Sequence, residues 1–283
     1  MKKVIVVCGP TASGKSGLAL QIAQKEKGSV INADAMQIYQ DLTIVSARPT
    51  KDEMQGITHL LYGYADAWTQ GTVQDWLEKV VPVLNETENP VLVGGTGMYI
   101  SSLVNGINEI PNADETVRQS VRNMDIKEVQ SLVRDCPFSD PQRMRRALEI
   151  QLTTGKPLSY FQNQPKKKLI EADFKIIFLN PPRDILYQRC ELRFYKMIEQ
   201  GGIEEVKKLL SLNPTGGVLK AIGVPEIKAY LEGRLTKEEM LCQAILSTRH
   251  YAKRQITWFK HQIKSDIELV NSADFLSDGF HRG

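Results

Sequence analysis

Eight residues, Gly9-Pro10-Thr11-Ala12-Ser13-Gly14-Lys15-Ser16, follow the apolar run Val4 to Cys8 and lead into Leu18, Leu20 and Ile22. The pattern predicts a strand, a glycine-bounded loop and a helix, in that order. In that context the glycine pattern reads as a phosphate-binding P-loop. Backbone N–H groups of such a loop form a concave anion nest, and the helix N-terminus adds partial positive charge. Lys15 reaches toward the outer phosphates, and the Ser16 hydroxyl can hold a magnesium ion. The motif names a phosphate chain as ligand and leaves the group's acceptor open.

The alternation continues. Strands are predicted at 4–8, 29–33 and 90–93, and residues 14–25 and 72–84 have helical spacing. Gly94-Gly95-Thr96-Gly97 marks a second strand-to-helix turn. Such alternation implies an α/β fold with a mostly parallel sheet wrapped by helices. Residues 111–168 change character: a loop at Pro111 leads to polar helices, and Pro165-Lys166-Lys167-Lys168 closes the segment. The apolar run Phe174 to Leu179 then returns to the sheet, and residues 183–212 and 236–263 read as helical. The chain divides accordingly into a core, 1–110 with 169–283, and a helical insertion, 111–168.

Charge follows the same division. The net charge of +3 combines −3 over residues 1–110, +4 over 111–170 and +2 over 171–283. A basic insertion hints at a polyanionic partner that docks away from the phosphate pocket. No apolar run approaches the roughly 20 residues of a membrane span. The N-terminal strand runs straight into the P-loop, which a cleaved signal would destroy. A cytoplasmic protein without membrane contact is therefore expected, and a monomer is the expected form. Cys8, Cys136, Cys190 and Cys242 are widely spaced, so isolated reduced thiols are expected rather than zinc or disulfides.

Asp34 follows the second strand, so it should open on the same crevice as Lys15. A carboxylate there serves as general base or magnesium ligand; the plain alternative is a helix N-cap. Thr96, in the second glycine turn, could hold a bridging or leaving oxygen, or simply belong to a tight turn. Arg143, Arg145 and Arg146 cluster in the insertion, and Arg189 and Arg193 share a helix face. Arg249, Lys253, Arg254 and Lys260 surround Tyr251, Trp258 and Phe259. Cations mixed with aromatics suit an RNA backbone and splayed bases, whereas solvated helix faces would look much the same.

Taken together, five motifs resemble the tRNA dimethylallyltransferases, also called tRNA isopentenyltransferases. They are the P-loop at 9–16, Asn-Ala-Asp-x-Met-Gln-Ile-Tyr at 32–39, Val-Gly-Gly-Thr-Gly-Met-Tyr at 93–99, Asp-Pro-Gln-Arg at 140–143 and Ala-Lys-Arg-Gln-Ile-Thr-Trp-Phe at 252–259. They occur in family order over almost the whole chain. The resemblance implies a P-loop kinase-like core with a mobile helical insertion. It also implies transfer of dimethylallyl from its diphosphate to N6 of the adenosine just 3′ of the anticodon, with Mg2+ as cofactor. By resemblance, Thr11 to Ser16 cradle a diphosphate and Arg193 is a second clamp on it. Asp34 takes the N6 proton, Thr96 assists the diphosphate oxygen, and Asp34, Ala35, Met36 and Gln37 touch the flipped-out base. Arg118, Gln142, Arg143, Met144, Arg145 and Arg146 match stretches that contact the tRNA anticodon arm. So do the 219–224 segment, with Lys220 and Gly223, and Lys253, Arg254, Gln255, Trp258 and Lys260. The sequence departs from the family at Ala35, usually serine, at Ser46-Ala47-Arg48-Pro49, and at Val224, commonly an aromatic.

The chemistry explains these residue types. An adenine N6 amine is a poor nucleophile, and a positioned base contributes roughly 10²–10⁴-fold. Diphosphate leaves with developing charge, which cations and N–H groups must meet. A stacked base must be extruded before it reacts, and a basic insertion can clamp the RNA and exclude water. The allylic group needs an apolar pocket; Met36, Ile38, Met98 and Tyr99 are the apolar residues expected around the crevice. The rivals are a small-molecule kinase using ATP, an adenylate isopentenyltransferase acting on AMP, and a non-catalytic RNA-binding module.

Overall fold

The computed structural model describes residues 1–274. Six parallel strands form one sheet among them: β1 (Lys2–Cys8), β2 (Ser29–Asn32), β3 (His59–Leu60), β4 (Pro90–Gly94), β5 (Ala172–Leu179) and β6 (Ile267–Leu269). Their order across the sheet is β3-β2-β4-β1-β5-β6. The short strands β3 and β6 were not expected from sequence; two and three residues are too few for a periodic signal. Buried on both faces, the central strands read as continuous apolar runs. Register decides function here. Cys8 pairs with Gly94 and Asn32 with Val93, so β1, β4 and β2 end level with one another. The loops that follow all three leave from one edge, the carboxyl end, where α/β sheets bind ligands.

Helices α1 (Lys15–Glu26), α2 (Lys51–Met54), α3 (Val73–Glu86) and α4 (Gly97–Asn105) follow the first strands. Capping boxes start α2 at Thr50 and α3 at Thr72. Trp76 of α3 is fully buried and stacks on Tyr99 with centroids 4.5 Å apart. Its indole N–H donates to the Asn32 carbonyl at 2.9 Å, which pins the end of β2.

A separate helical unit spans Asn105–Leu169 and interrupts a core made of Met1–Val104 and the chain from Ile170 onward. It begins ahead of the Pro111 loop because Ile107 and Lys167 pair across its base. It holds α5 (Glu115–Asn123), α6 (Ile126–Leu132), α7 (Pro141–Thr154) and α8 (Leu158–Gln162). Val121, Val129, Met144 and Leu148 form its own small core. The Asp140-Pro141 pair starts α7: the Asp140 carboxylate accepts the Arg143 N–H at 2.9 Å, and proline takes the first turn, where its missing N–H costs nothing.

The core ends in α9 (Arg183–Glu199), α10 (Gly202–Ser211), α11 (Val224–Leu231) and α12 (Lys237–Gln262). The stretch 183–212 is thus two helices, broken at Gly201, whose φ of 97° is left-handed. In α12, Ala244, Thr248, Ala252, Gln255, Ile256 and Phe259 are buried, one stripe at helical spacing. Glu205 of α10 accepts the backbone N–H groups of Thr43, Ile44 and Val45 at 2.7, 2.8 and 2.9 Å. One carboxylate thereby shapes the loop that follows residue 41. Glu205→Ala is expected to lower unfolding stability by about 3 kcal/mol, since it orphans three donors; urea denaturation measures it, and Glu205→Gln should recover part of the loss.

Candidate active site

The P-loop takes the shape its sequence requires. Ala12 and Gly14 both have left-handed backbone, with φ of 62° and 95°, which turns successive N–H groups inward. Thr11 and Ser13 spend their N–H groups within the protein, on the Gln255 side chain at 2.8 Å and the Pro10 carbonyl at 3.2 Å. The free first-turn donors of α1 therefore lie beyond them, where an anion would sit. The Ser13 hydroxyl is buried without a hydrogen-bond partner in the protein, a polar atom left for a ligand or water. Two arginines brace the loop from α9: Arg189 donates to the Ser13 carbonyl at 3.3 Å, and Arg193 donates to the Thr11 hydroxyl. The role of Arg189 was missed from sequence, although its four-residue spacing from Arg193 carried the signal.

Asp34 stands at the end of β2, within a turn: its Oδ1 accepts the Met36 N–H at 3.0 Å. No helix starts there, since α2 begins at Lys51, so the carboxylate caps a turn and not a helix. Asp34 lines a cavity of about 260 Å³ together with Thr11 and Arg193. Met36, Val45, Phe194, Met197 and Ile222 supply apolar wall. This corrects the expected wall. Ile38 and Tyr99 are buried in the core and Met98 is exposed. Only Met36 of the four lines this cavity; Val45, Phe194 and Met197 lie outside the five motifs, and Ile222 comes from the 219–224 segment expected to face tRNA. Cys190 also lines it; burial raises its thiol pKa, so it is a poor nucleophile.

Thr96 faces an adjoining cavity of about 180 Å³, with Met98, Tyr251, Arg254 and Trp258. Its hydroxyl oxygen accepts the Ala35 N–H at 2.9 Å. That bond uses the backbone of residue 35, so alanine in place of serine leaves it intact. Tyr251 and Arg254 line both cavities. Gly97 is required here: a Cβ would come within 2.1 Å of the Trp258 ring.

The remaining expected residues separate into surface and scaffold. Lys220, Lys253, Arg254 and Lys260 are exposed. In the helical unit Gln142, Arg143 and Arg118 are exposed, Arg118 pairing with Glu115 at 3.2 Å. Four residues of the stretches expected to contact tRNA are turned inward. Met144 is core. Arg145 donates to the carbonyls of Val121 and Met124 at 2.6 and 2.9 Å, which closes the end of α5. Gly223 is buried against Val45 and Phe194, and Val224 is core, so the departure from an aromatic there removes no exposed ring. Gln255 is 5% exposed, its amide shared between the two glycine turns. Arg146 is half-buried, 3.3 Å from Glu149. Gln37 donates to the carbonyls of Ser46 and Ala47 at 3.2 and 2.9 Å.

Among the described residues no group of three His, Cys, Asp or Glu could hold a metal. The donors at hand, the exposed Ser16 hydroxyl and the Asp34 carboxylate, suit magnesium that arrives with phosphate oxygens, because such ions keep few protein ligands. No helix among the described residues is long and apolar enough to cross a membrane.

Desolvation brings the Lys15 ammonium down to about 8; Asp34 opposes that shift and Arg193 adds to it. Burial likewise lowers the Arg193 pKa. Two cations are thus held partly desolvated around a nest of N–H groups.

This is the arrangement of a P-loop group-transfer enzyme, with an anion cradle, a carboxylate and an apolar cavity at one sheet edge. The IPP transferase family matches residues 37–262, and the chain belongs to that family. It is 40% identical to a tRNA dimethylallyltransferase of Rickettsia felis, over 97% of this chain and 96% of that protein. Against the Rhizobium etli tRNA dimethylallyltransferase it is 40% identical, over 93% and 95%. Among solved structures, a eukaryotic dimethylallyltransferase acting on tRNA superposes with TM-score 0.83 at 29% identity, covering 98% of this chain and 75% of that one. A full-length tRNA isopentenylpyrophosphate transferase from Bacillus halodurans gives 0.73 at 30% identity, covering 98% and 93%.

The lysine carries a testable consequence. Its folded pKa lies below the unfolded 10.5, so the unfolded chain binds more protons between about 8 and 10.5, and stability contributed by this site rises with pH across that window. At pH 7 the site is therefore a burden on the ligand-free protein. Lys15→Met is expected to raise its melting temperature while abolishing diphosphate binding, measured by thermal unfolding and calorimetry. In the unmodified protein, diphosphate affinity should fall as pH rises through about 8.

Proposed function

We propose that this protein moves the dimethylallyl group from dimethylallyl diphosphate to N6 of the adenosine 3′-adjacent to the anticodon of tRNA. The observation that carries the reading is the 260 Å³ cavity, which sets Thr11, Arg193 and Asp34 beside an apolar wall. A five-carbon allyl group suits that wall; adenine and ribose would call for stacking and hydrogen bonds instead. The names of the relatives support the same choice.

In this reading the N6 lone pair attacks C1 of the allyl group as the C1–O bond breaks. Lys15, Arg193 and the N–H groups at the start of α1 meet the charge that develops on the departing diphosphate. Ser16 would hold a magnesium ion that arrives with the diphosphate, and the ion would supply further charge neutralisation to the leaving group. Asp34 receives the N6 proton. The Thr96 hydroxyl accepts from the Ala35 N–H, which leaves its own hydrogen free to donate to the bridging oxygen. The apolar wall shields the cation-like allylic carbon from water. Lys220, Lys253, Arg254, Trp258 and Lys260 form the RNA-facing side of the core, and Arg118, Gln142 and Arg143 that of the helical unit. In this reading the enzyme works as a monomer, in the cytoplasm alongside its tRNA.

Asp34→Asn should cut single-turnover transfer by about 10²-fold or more while tRNA affinity stays within a few fold. A near-normal single-turnover rate would remove Asp34 as the base. Affinity for tRNA should also fall steeply with salt, by a slope of roughly −0.7 to −0.9 per phosphate contacted, whereas dimethylallyl diphosphate binding changes less. Filter binding between low and moderate salt checks this, and a flat response would point to a small acceptor.

A further inference from the structure

Gln255 lies in a basic-aromatic motif, yet its side chain is buried and joins two loops that belong to different strands. Its amide oxygen accepts the Thr11 N–H at 2.8 Å, in the P-loop after β1. Its amide nitrogen donates to the Gly95 carbonyl at 2.8 Å, in the turn after β4. The orientation follows from chemistry, because Thr11 offers only a donor and Gly95 only an acceptor. Gly95 makes room for this: a Cβ there would lie 2.4 Å from the Gln255 amide nitrogen. The neighbours of Gln255 on α12 complete the picture. Ala252, Ile256 and Phe259 anchor the helix in the core, and Lys253 and Arg254 are exposed. Tyr251, four residues earlier on the same helix, lines both cavities.

We propose that Gln255 is a positioning residue for the transfer reaction: its one amide fixes the distance between the diphosphate loop and the Gly95-Thr96 turn and locks both to α12. The inference rests on the function proposed above. Displacement at an allylic carbon requires the nucleophile within about 3–3.5 Å and in line, and a 1 Å error costs on the order of 10²-fold. The diphosphate is held from one loop, whereas Thr96 and, through it, the Ala35 backbone are held from the other. A side chain that spans both, and that also forms part of the wall of the 180 Å³ cavity, sets the reacting geometry through the two loops it joins. Its loss is therefore felt in turnover more than in binding.

Gln255→Met keeps the length and removes both hydrogen bonds. The expected result is kcat lower by about tenfold or more, KM for tRNA and for dimethylallyl diphosphate within about threefold, and faster amide exchange at Thr11. Gln255→Glu provides a second readout that a folding defect does not mimic. Its protonated carboxyl reproduces the donor and acceptor of the amide, whereas the ionised form sets an oxygen against the Gly95 carbonyl. Lys15 of the P-loop, Asp34 after β2, Arg193 of α9, and Tyr251 and Arg254 of α12 are present in both proteins. The ratio of Glu variant to unmodified enzyme should therefore rise as pH falls. Unchanged kcat in the Met variant, a raised KM for tRNA alone, or a pH-independent ratio would each overturn the proposal. Should the unmodified protein transfer nothing to tRNA, the proposed function fails. Thr11 exchange then still decides this inference, and an unchanged rate in the Met variant overturns it.

Discussion

The site depends on the register of three adjacent strands. Because Cys8 lies level with Gly94 and Asn32 with Val93, the P-loop, the Asp34 turn and the Thr96 turn emerge side by side. A one-residue slip in any of them would turn every side chain of that strand to the other face. Two contacts oppose the slip: Val7, Leu18 and Ile22 share one buried apolar cluster, and the Trp76 indole is hydrogen-bonded to the end of β2. Core and chemistry are thus linked through backbone positions.

What the register brings together is electrostatically unfinished. Lys15 and Arg193 are drawn out of water, and desolvation is the leading cause of the shift in each pKa. Asp34 contributes favourably to both, yet no direct ion pair joins it to either among the described residues. Burying a charge without full pairing costs stability, and a bound anion offsets that cost. The ligand-free protein therefore holds charge where the leaving group will need it, a form of preorganisation. The arginines of α9 and the amide of Gln255 keep the loop in shape meanwhile.

Sequence showed the chemistry better than the scaffold. The P-loop, Asp34 and the glycine turn announce themselves through residue types that few other structures require. The α/β alternation was legible because central strands are continuous apolar runs. β3 and β6 are too short to show a period, and the break at Gly201 lies inside a stretch that is helical on both sides. The apolar wall was misread: Ile38 and Tyr99 are near Asp34 and Thr96 in sequence, but their side chains serve the core, and Val45, Phe194, Met197 and Ile222 reach the cavity from distant segments. Burial also split the motifs. Met144 and Gln255 sit among basic neighbours yet face inward, because a helix presents different residues to core and solvent within a single turn.

In the proposed reaction the phosphate cradle, the Asp34 carboxylate and the apolar cavity serve one transfer to one base. The most direct measurement is to incubate the protein with dimethylallyl diphosphate labelled in the allyl group, magnesium and unmodified tRNA, then digest the RNA and locate the label. The expected product is a single labelled adenosine, next to the anticodon on its 3′ side, alkylated on N6. Label on free AMP with none on tRNA, or no allyl transfer alongside phosphate transfer from ATP, would contradict it.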